Sequence, residues 1–209
     1  MFVLVTAELA MMLAKESEQR YMTGRQFGVM DGIPYAAKDN FYTKGIRTTM
    51  GSEVFKDFYP EESATVIDIL NRSGAVLLGK ANMHEFASGS TNDISYFGPT
   101  KNPRNPLKVP GGSSGGSCAA LLANICPAAL GTDTMGSVGI PASACGVVGM
   151  KPTQGMVSKY NVYPYCDTLD HVGPLTRTVL DNALLFSLIV KHDPLDPWSI
   201  NMPPQDFAC

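Results

Sequence analysis

Apolar positions along this chain follow two rhythms, and the switches between them predict its elements. Between residues 6 and 22, Ala7, Leu9, Ala10, Leu13 and Ala14 recur at helical spacing, with Thr6 placed to cap the first turn. Residues 62–72 predict a second helix, whose stripe of Val66, Ile67 and Leu70 ends at Gly74. Residues 75–78 are instead an unbroken apolar run, the pattern of a strand buried on both faces. Residues 33–37, introduced by Asp31 and Gly32, and residues 127–131 predict two more short strands. Residues 117–125 are apolar and Ala-rich on every side, which predicts a helix buried nearly all round. A last helix is predicted over 180–190, and the four prolines of residues 192–209 predict an extended surface tail. Helix and buried strand in succession point to an α/β layered domain. No repeat and no linker divides the chain.

Composition narrows the function. A chain of 209 residues, 44% hydrophobic, supports one globular domain with a sizeable core. A net charge of −3 without a Lys/Arg run leaves no electrostatic footprint for nucleic acid or an anionic membrane. The apolar start is interrupted by Glu8 and preceded by no basic residue, so it does not read as a signal peptide. No stretch reaches the ~20 uncharged apolar residues of a membrane span. The expectation is a soluble, cytoplasmic protein. The cysteines, Cys118, Cys126, Cys145, Cys166 and Cys209, are odd in number and form no CxxC. They predict buried free thiols in a reducing compartment and no zinc site.

Three segments carry candidate chemistry. Residues 111–117, Gly-Gly-Ser-Ser-Gly-Gly-Ser, open the buried helix, but neither GxxxxGK[ST] nor GxGxxG is satisfied, so no phosphate cradle is predicted. Residues 131–137, Gly-Thr-Asp-Thr-Met-Gly-Ser, follow a strand and precede an apolar stretch. A serine at such a turn, beside free amides, has the layout of a nucleophile next to an oxyanion hole. Lys38 ends an apolar strand, where burial would lower its pKa and make it usable as a base.

Together these segments give the chain its identity as a sequence: it resembles the amidase signature family over roughly residues 6–206. The resemblance rests on seven ordered blocks. They are GIPxxxKDN at 32–40, the GKxNMHEF-like run at 79–89, NP at 102–103, PGGSSGGS at 110–117, GTDTMGSVxIPAS at 131–143, CGVVGMKPT at 145–153 and LDHVGPLTRTV at 169–179. It implies a layered α/β core with a mixed sheet and helices on both faces. It implies a Ser–cis-Ser–Lys triad in which Ser137 is the nucleophile, Ser113 (after a cis Gly112–Ser113 bond) the proton shuttle and Lys38 the base. The backbone amides of Thr134, Met135, Gly136 and Ser137 would hold the oxyanion, with Ser114 and Asp133 in support. No metal or cofactor is implied, and His84, His171 and His192 are left structural or surface roles. Tyr35, Met135 and Tyr163 are candidates for the entrance, with ordinary packing as the competing reading.

The activity implied is hydrolysis of a linear carbon–nitrogen bond in a small-molecule amide, through an acyl-enzyme on Ser137. Met83-His84-Glu85-Phe86 is closer to general amidases. The alternatives are the glutaminase subunit of a glutamyl-tRNA amidotransferase, which would bring a partner subunit, and a non-catalytic binding protein that keeps the amidase shell. A homo-oligomer is compatible with each. Two departures from the pattern set expectations. Gly139 stands where the family usually has Arg, which would leave Asp133 without a charge partner. The family also runs on beyond both ends of the resemblance, so residues 1–209 are expected to form one partial domain.

Overall fold

The computed structural model describes residues 1–203 and 205–208. Its elements run β1 (Phe2–Val5), α1 (Ala7–Met22), β2 (Pro34–Lys38), α2 (Thr65–Arg72), β3 (Val76–Ala81), α3 (Gly115–Leu122), β4 (Ala128–Asp133), α4 (Gly139–Cys145), β5 (Val148–Gly149), β6 (His171–Thr176) and α5 (Val179–Ile189). The strands form one mixed sheet in the order β1-β3-β2-β4-β6-β5. The central pairs, β2 with β3 and β2 with β4, are parallel, while the flanking pairs are antiparallel.

Period-two alternation in the central strands divides the core between the two faces. Tyr35, Ala37, Ala128 and Leu130 pack into a cluster with Leu70 of α2 and Phe186 of α5. Ala36 and Ala129 pack on the other side, with Cys118 and Leu121 of α3 and Ala142 of α4. Helices therefore cover both faces, as the unbroken apolar strand runs require. α3 sits close enough that a methyl at Gly116 would collide with the Asn82 backbone. Both ends of the candidate chemistry, the last residue of β2 and the start of α3, are thereby fixed on rigid elements.

Several expectations are corrected. Thr6 precedes α1 but does not cap it through its hydroxyl, which donates to the Leu77 carbonyl at 2.8 Å and ties α1 to β3. α2 begins three residues later than predicted, because Ser63 Oγ accepts from the Lys44 amide and the Ala64 amide donates to the Tyr42 carbonyl. Strands β1, β5 and β6 and helix α4 were not predicted. The described residues of the tail are irregular and mostly exposed, but they are anchored to the body of the domain. Asp193 and Asp196 are buried. Asp193 accepts from the Thr65 and Ser158 hydroxyls, and Phe207 packs its ring 4.7 Å from that of Phe186. Its carboxylates find hydroxyl and amide donors, so burial is tolerated. Cys118, Cys126 and Cys145 are buried free thiols and Cys166 is half-buried, while Cys209 lies outside the described residues. Among the described residues no helix is long and apolar enough to cross a membrane.

Candidate active site

Lys38 closes β2, and its side chain is wholly buried. Nζ donates to Ser113 Oγ at 2.7 Å, to Thr132 Oγ1 at 2.7 Å and, more weakly, to the Thr132 carbonyl at 3.4 Å. Among the described residues no carboxylate forms an ion pair with it. Desolvation is the dominant influence and disfavours the ammonium. The more distant charges of Asp133 and Asp170 only partly offset it, and the pKa falls from 10.5 to about 7.

Ser113 is equally buried, and the Gly112–Ser113 peptide is cis. Its carbonyl accepts from the His84 amide at 3.2 Å. His84 Nδ1 in turn accepts from the Asn92 amide at 3.3 Å, and Asn92 Oδ1 accepts from the Gly115 amide at 3.0 Å. Burial lowers the His84 pKa, which suits a neutral ring that accepts. His84 and Asn92 thus hold the backbone of the glycine-rich loop from behind.

Ser114 links this loop to the second segment. Its hydroxyl donates to the Thr132 carbonyl at 3.2 Å and accepts from the Thr132 amide at 3.3 Å. Its amide donates to the Ser137 carbonyl at 3.2 Å. Gly131 must be glycine here, since a Cβ would come within 2.9 Å of Ser114 Oγ. Ser137 is half-buried and lines an open cleft of about 250 Å³ with Ala87, Ser90, Met135, Ile140 and Tyr165. A narrower polar cavity beside it is lined by Asn40, Thr132, Thr134, Tyr163, Asp170 and His171. Met135 lines the Ser137 cleft and Tyr163 the narrower cavity beside it. Tyr35 lines neither: it is buried in the α2-side core.

Asp133 organises the turn around Ser137. Oδ1 accepts from the Gly136 amide at 2.8 Å, and Oδ2 accepts from the Val138 amide at 2.8 Å and the Gly139 amide at 3.4 Å. The Gly136 amide is thus engaged by a carboxylate, which leaves Thr134, Met135 and Ser137 as the remaining members of the expected oxyanion set. Asp133 does not lack a charge partner, contrary to expectation. Lys151 Nζ lies 2.9 Å from Oδ1. Burial pushes the Asp133 pKa up, but the amides and Lys151 outweigh it and hold the carboxyl below its ordinary range.

Sequence reasoning missed Thr132, Asn40, Asn92 and Lys151. Asn40 Nδ2 donates to Thr132 Oγ1 at 3.0 Å, so it fixes the hydroxyl that receives Lys38. Thr132, Asn40 and Lys151 lie inside the recognised blocks, and their positions there were the available signal.

The comparisons with known proteins agree with this architecture. The family described as Amidase matches residues 1–208. A glutamyl-tRNA(Gln) amidotransferase chain from Geobacter sp. strain M21 is 48% identical over 207 residues, covering 99% of this chain and 42% of that protein. Among solved structures, the peptide amidase of Stenotrophomonas maltophilia superposes with a TM-score of 0.90 at 33% identity, over 99% of this chain and 43% of that one. A chain from a vestigial complex bearing on the origins of an s-triazine catabolic enzyme gives a TM-score of 0.95 at 40% identity, over 98% and 45%. The chain thus spans somewhat under half the length of the proteins it matches.

Proposed function

The chain belongs to the amidase family, and from that premise we propose that it cleaves a linear carbon–nitrogen bond of a small-molecule amide through an acyl-enzyme on Ser137. One observation carries the reading: a fully buried lysine, without an ion-paired carboxylate among the described residues, is held 2.7 Å from a fully buried serine hydroxyl. Only a neutral amine can accept a proton, and with its pKa near 7 Lys38 is substantially neutral at physiological pH.

The Lys38–Ser113 contact supplies one half of the proton path, and the step from Ser137 Oγ to Ser113 Oγ is part of the proposal. Ser113 Oγ passes its proton to Lys38 Nζ and takes that of Ser137. Ser137 Oγ attacks the amide carbon, and the oxyanion rests on the amides of Thr134, Met135 and Ser137. Each such donor contributes roughly 2.7–4 kcal/mol in the transition state. The relay runs backwards to protonate the leaving nitrogen as the carbon–nitrogen bond breaks. Water then attacks the Ser137 ester and releases the acid. No cofactor enters any step. Residues 1–209 act as one partial domain in the cytoplasm. A fluorophosphonate probe should label Ser137 in the wild-type chain and not in Ser137→Ala. Labelling that survives Ser137→Ala, or a folded wild-type chain that never labels, sinks the proposal.

A second reading has its own support. The 48% identical relative is named for a glutamyl-tRNA(Gln) amidotransferase. On that reading the chain releases ammonia from glutamine for a partner subunit. Co-purification of a partner together with glutamine turnover separates it from a free-standing amidase.

A further inference from the structure

The turn that carries Ser137 is gripped at its first arm by one ammonium, which meets both Asp133 and Thr134. Asp133 accepts from three amides of residues 136–139 and so folds the chain into a ring around Ser137. Lys151 reaches the ring from the irregular chain just past β5. Its Nζ lies 2.9 Å from Asp133 Oδ1 and donates to the Thr134 carbonyl at 2.8 Å. The helix α4 and the left-handed Gly146 return the chain to bring it there. At Gly139 a Cβ would meet open space, so no side chain from the turn itself competes for the carboxylate.

We propose that Lys151 is a positioning residue for the nucleophile: it holds Asp133 and the Thr134 carbonyl in the arrangement that presents Ser137, and it neutralises the charge that would otherwise act on Lys38. This rests on the acyl-enzyme reading above. Two contacts from one nitrogen, to the carboxylate that gathers the 136–139 amides and to the next residue's carbonyl, separate this role from a single surface ion pair, whose effect on structure is small. The electrostatic part follows from the neighbours. Lys38 faces Asp133, Asp170 and Cys118, and an anionic Asp133 stabilises its ammonium. Asp133 faces Lys151 and, across the β4–β6 register, His171. Removing Lys151 leaves the Asp133 charge uncompensated and favours the protonated, inactive form of Lys38.

The test is Lys151→Met and Lys151→Arg in the whole chain, each checked for cooperative melting. Lys151→Met should slow fluorophosphonate labelling roughly tenfold or more and move the acidic limb of its rate–pH profile upward. Lys151→Arg should keep the rate within about threefold, since it restores the cation. Carbon-13 titration of the Asp133 carboxyl gives a readout that needs no activity, and its midpoint should rise in Lys151→Met. An unmoved pH limb in Lys151→Met, or equal losses in the two variants, would overturn the proposal. So would an Asp133 midpoint that ignores Lys151. If the wild-type chain folds but never labels, the acyl-enzyme reading fails while the Asp133 titration still decides whether Lys151 governs the turn.

Discussion

Two lysines, Lys38 and Lys80, lie on adjacent strands, both shut off from solvent, and the proposed function gives them opposite tasks. Lys80 pairs in register with Ala37, whose side chain lies in the α2-side cluster. Lys38 is the next residue along β2, so its amine leaves the sheet on the other face. Lys80 Nζ donates to the Phe41 carbonyl at 2.5 Å and to Thr48 Oγ1 at 2.7 Å, with Asp39 Oδ1 at 3.6 Å. Burial lowers its pKa to about 8 and raises that of Asp39, while each charge favours the other. Lys38 has two hydroxyls at 2.7 Å but, among the described residues, no carboxylate in contact, and its pKa falls to about 7. Burial alone therefore does not make a base. On the proposed function, burial without a carboxylate in contact is what suits Lys38 to act as a base, and the fold supplies both environments one strand apart.

The same substitution at the two positions breaks the comparison most sharply. Lys38→Met removes a buried amine that no carboxylate balances, so stability should hold or rise while labelling of Ser137 falls by up to about 10⁴-fold. Lys80→Met leaves Asp39 buried beside no cation. It should cost about 3–5 kcal/mol of unfolding free energy. Chemical denaturation and labelling rates, measured on both variants, decide it. If Lys38→Met is the destabilised one, or Lys80→Met abolishes labelling in a chain that still melts normally, the division of roles is wrong.

A pH titration of stability sharpens the contrast by a smaller amount. A lysine that holds its proton less firmly folded than unfolded makes stability rise with pH between the two values. For Lys38 that window opens near pH 7 and closes at the unfolded value of 10.5. For Lys80 it opens only near pH 8. Asp39, raised by burial, acts in the opposite sense, with stability falling as pH rises from its ordinary 3.8 to its folded value. From pH 7 to 8 the gain belongs chiefly to Lys38 and amounts to about 1 kcal/mol. Lys38→Met should flatten that interval and, between pH 8 and 10.5, reduce the rise to the part that Lys80 supplies. An unchanged slope between pH 7 and 8 would mean that Lys38 is not the group being titrated.

Reading the sequence singled out one of these lysines and not the other, and the reason is locality. α1, α2, α3, α5 and the central strands β2, β3 and β4 announce themselves by periodicity within a few residues. β6 does not: its run His-Val-Gly-Pro-Leu-Thr holds two strand breakers, tolerated because β4 and β5 flank it in register. β5 has only two residues, too few for a period. Lys38, Ser113 and Ser137 stood out because each sits in a distinctive local segment. Thr132, Asn40 and Lys151 act across the sheet or across α4, and Asp39 meets Lys80 only once β2 and β3 are paired. Their chemistry is a property of the register, which no single window of sequence displays. The expectation of an unpartnered Asp133 failed for the same reason, since Lys151 approaches from 18 residues further on.

The finest test of the comparison concerns hydroxyls rather than charges. Thr132 Oγ1 accepts from Lys38 and also from Asn40 Nδ2, so its oxygen favours the ammonium form of the base. Thr132→Val deletes that acceptor while keeping the volume and the β-branch that suit β4. Desolvation then acts on Lys38 with less opposition. The acidic limb of the labelling profile should move to lower pH by less than about one unit, as befits the loss of one hydrogen bond worth roughly 1 kcal/mol. Thr48→Val removes the equivalent hydroxyl from Lys80, where the Phe41 carbonyl and Asp39 remain, and should leave the profile where it was. A limb displaced upward by Thr132→Val would mean that the hydroxyl donates to a neutral amine instead. A limb displaced by Thr48→Val would mean that the two lysines are coupled through the sheet, and that the separation between base and structural cation is narrower than one strand.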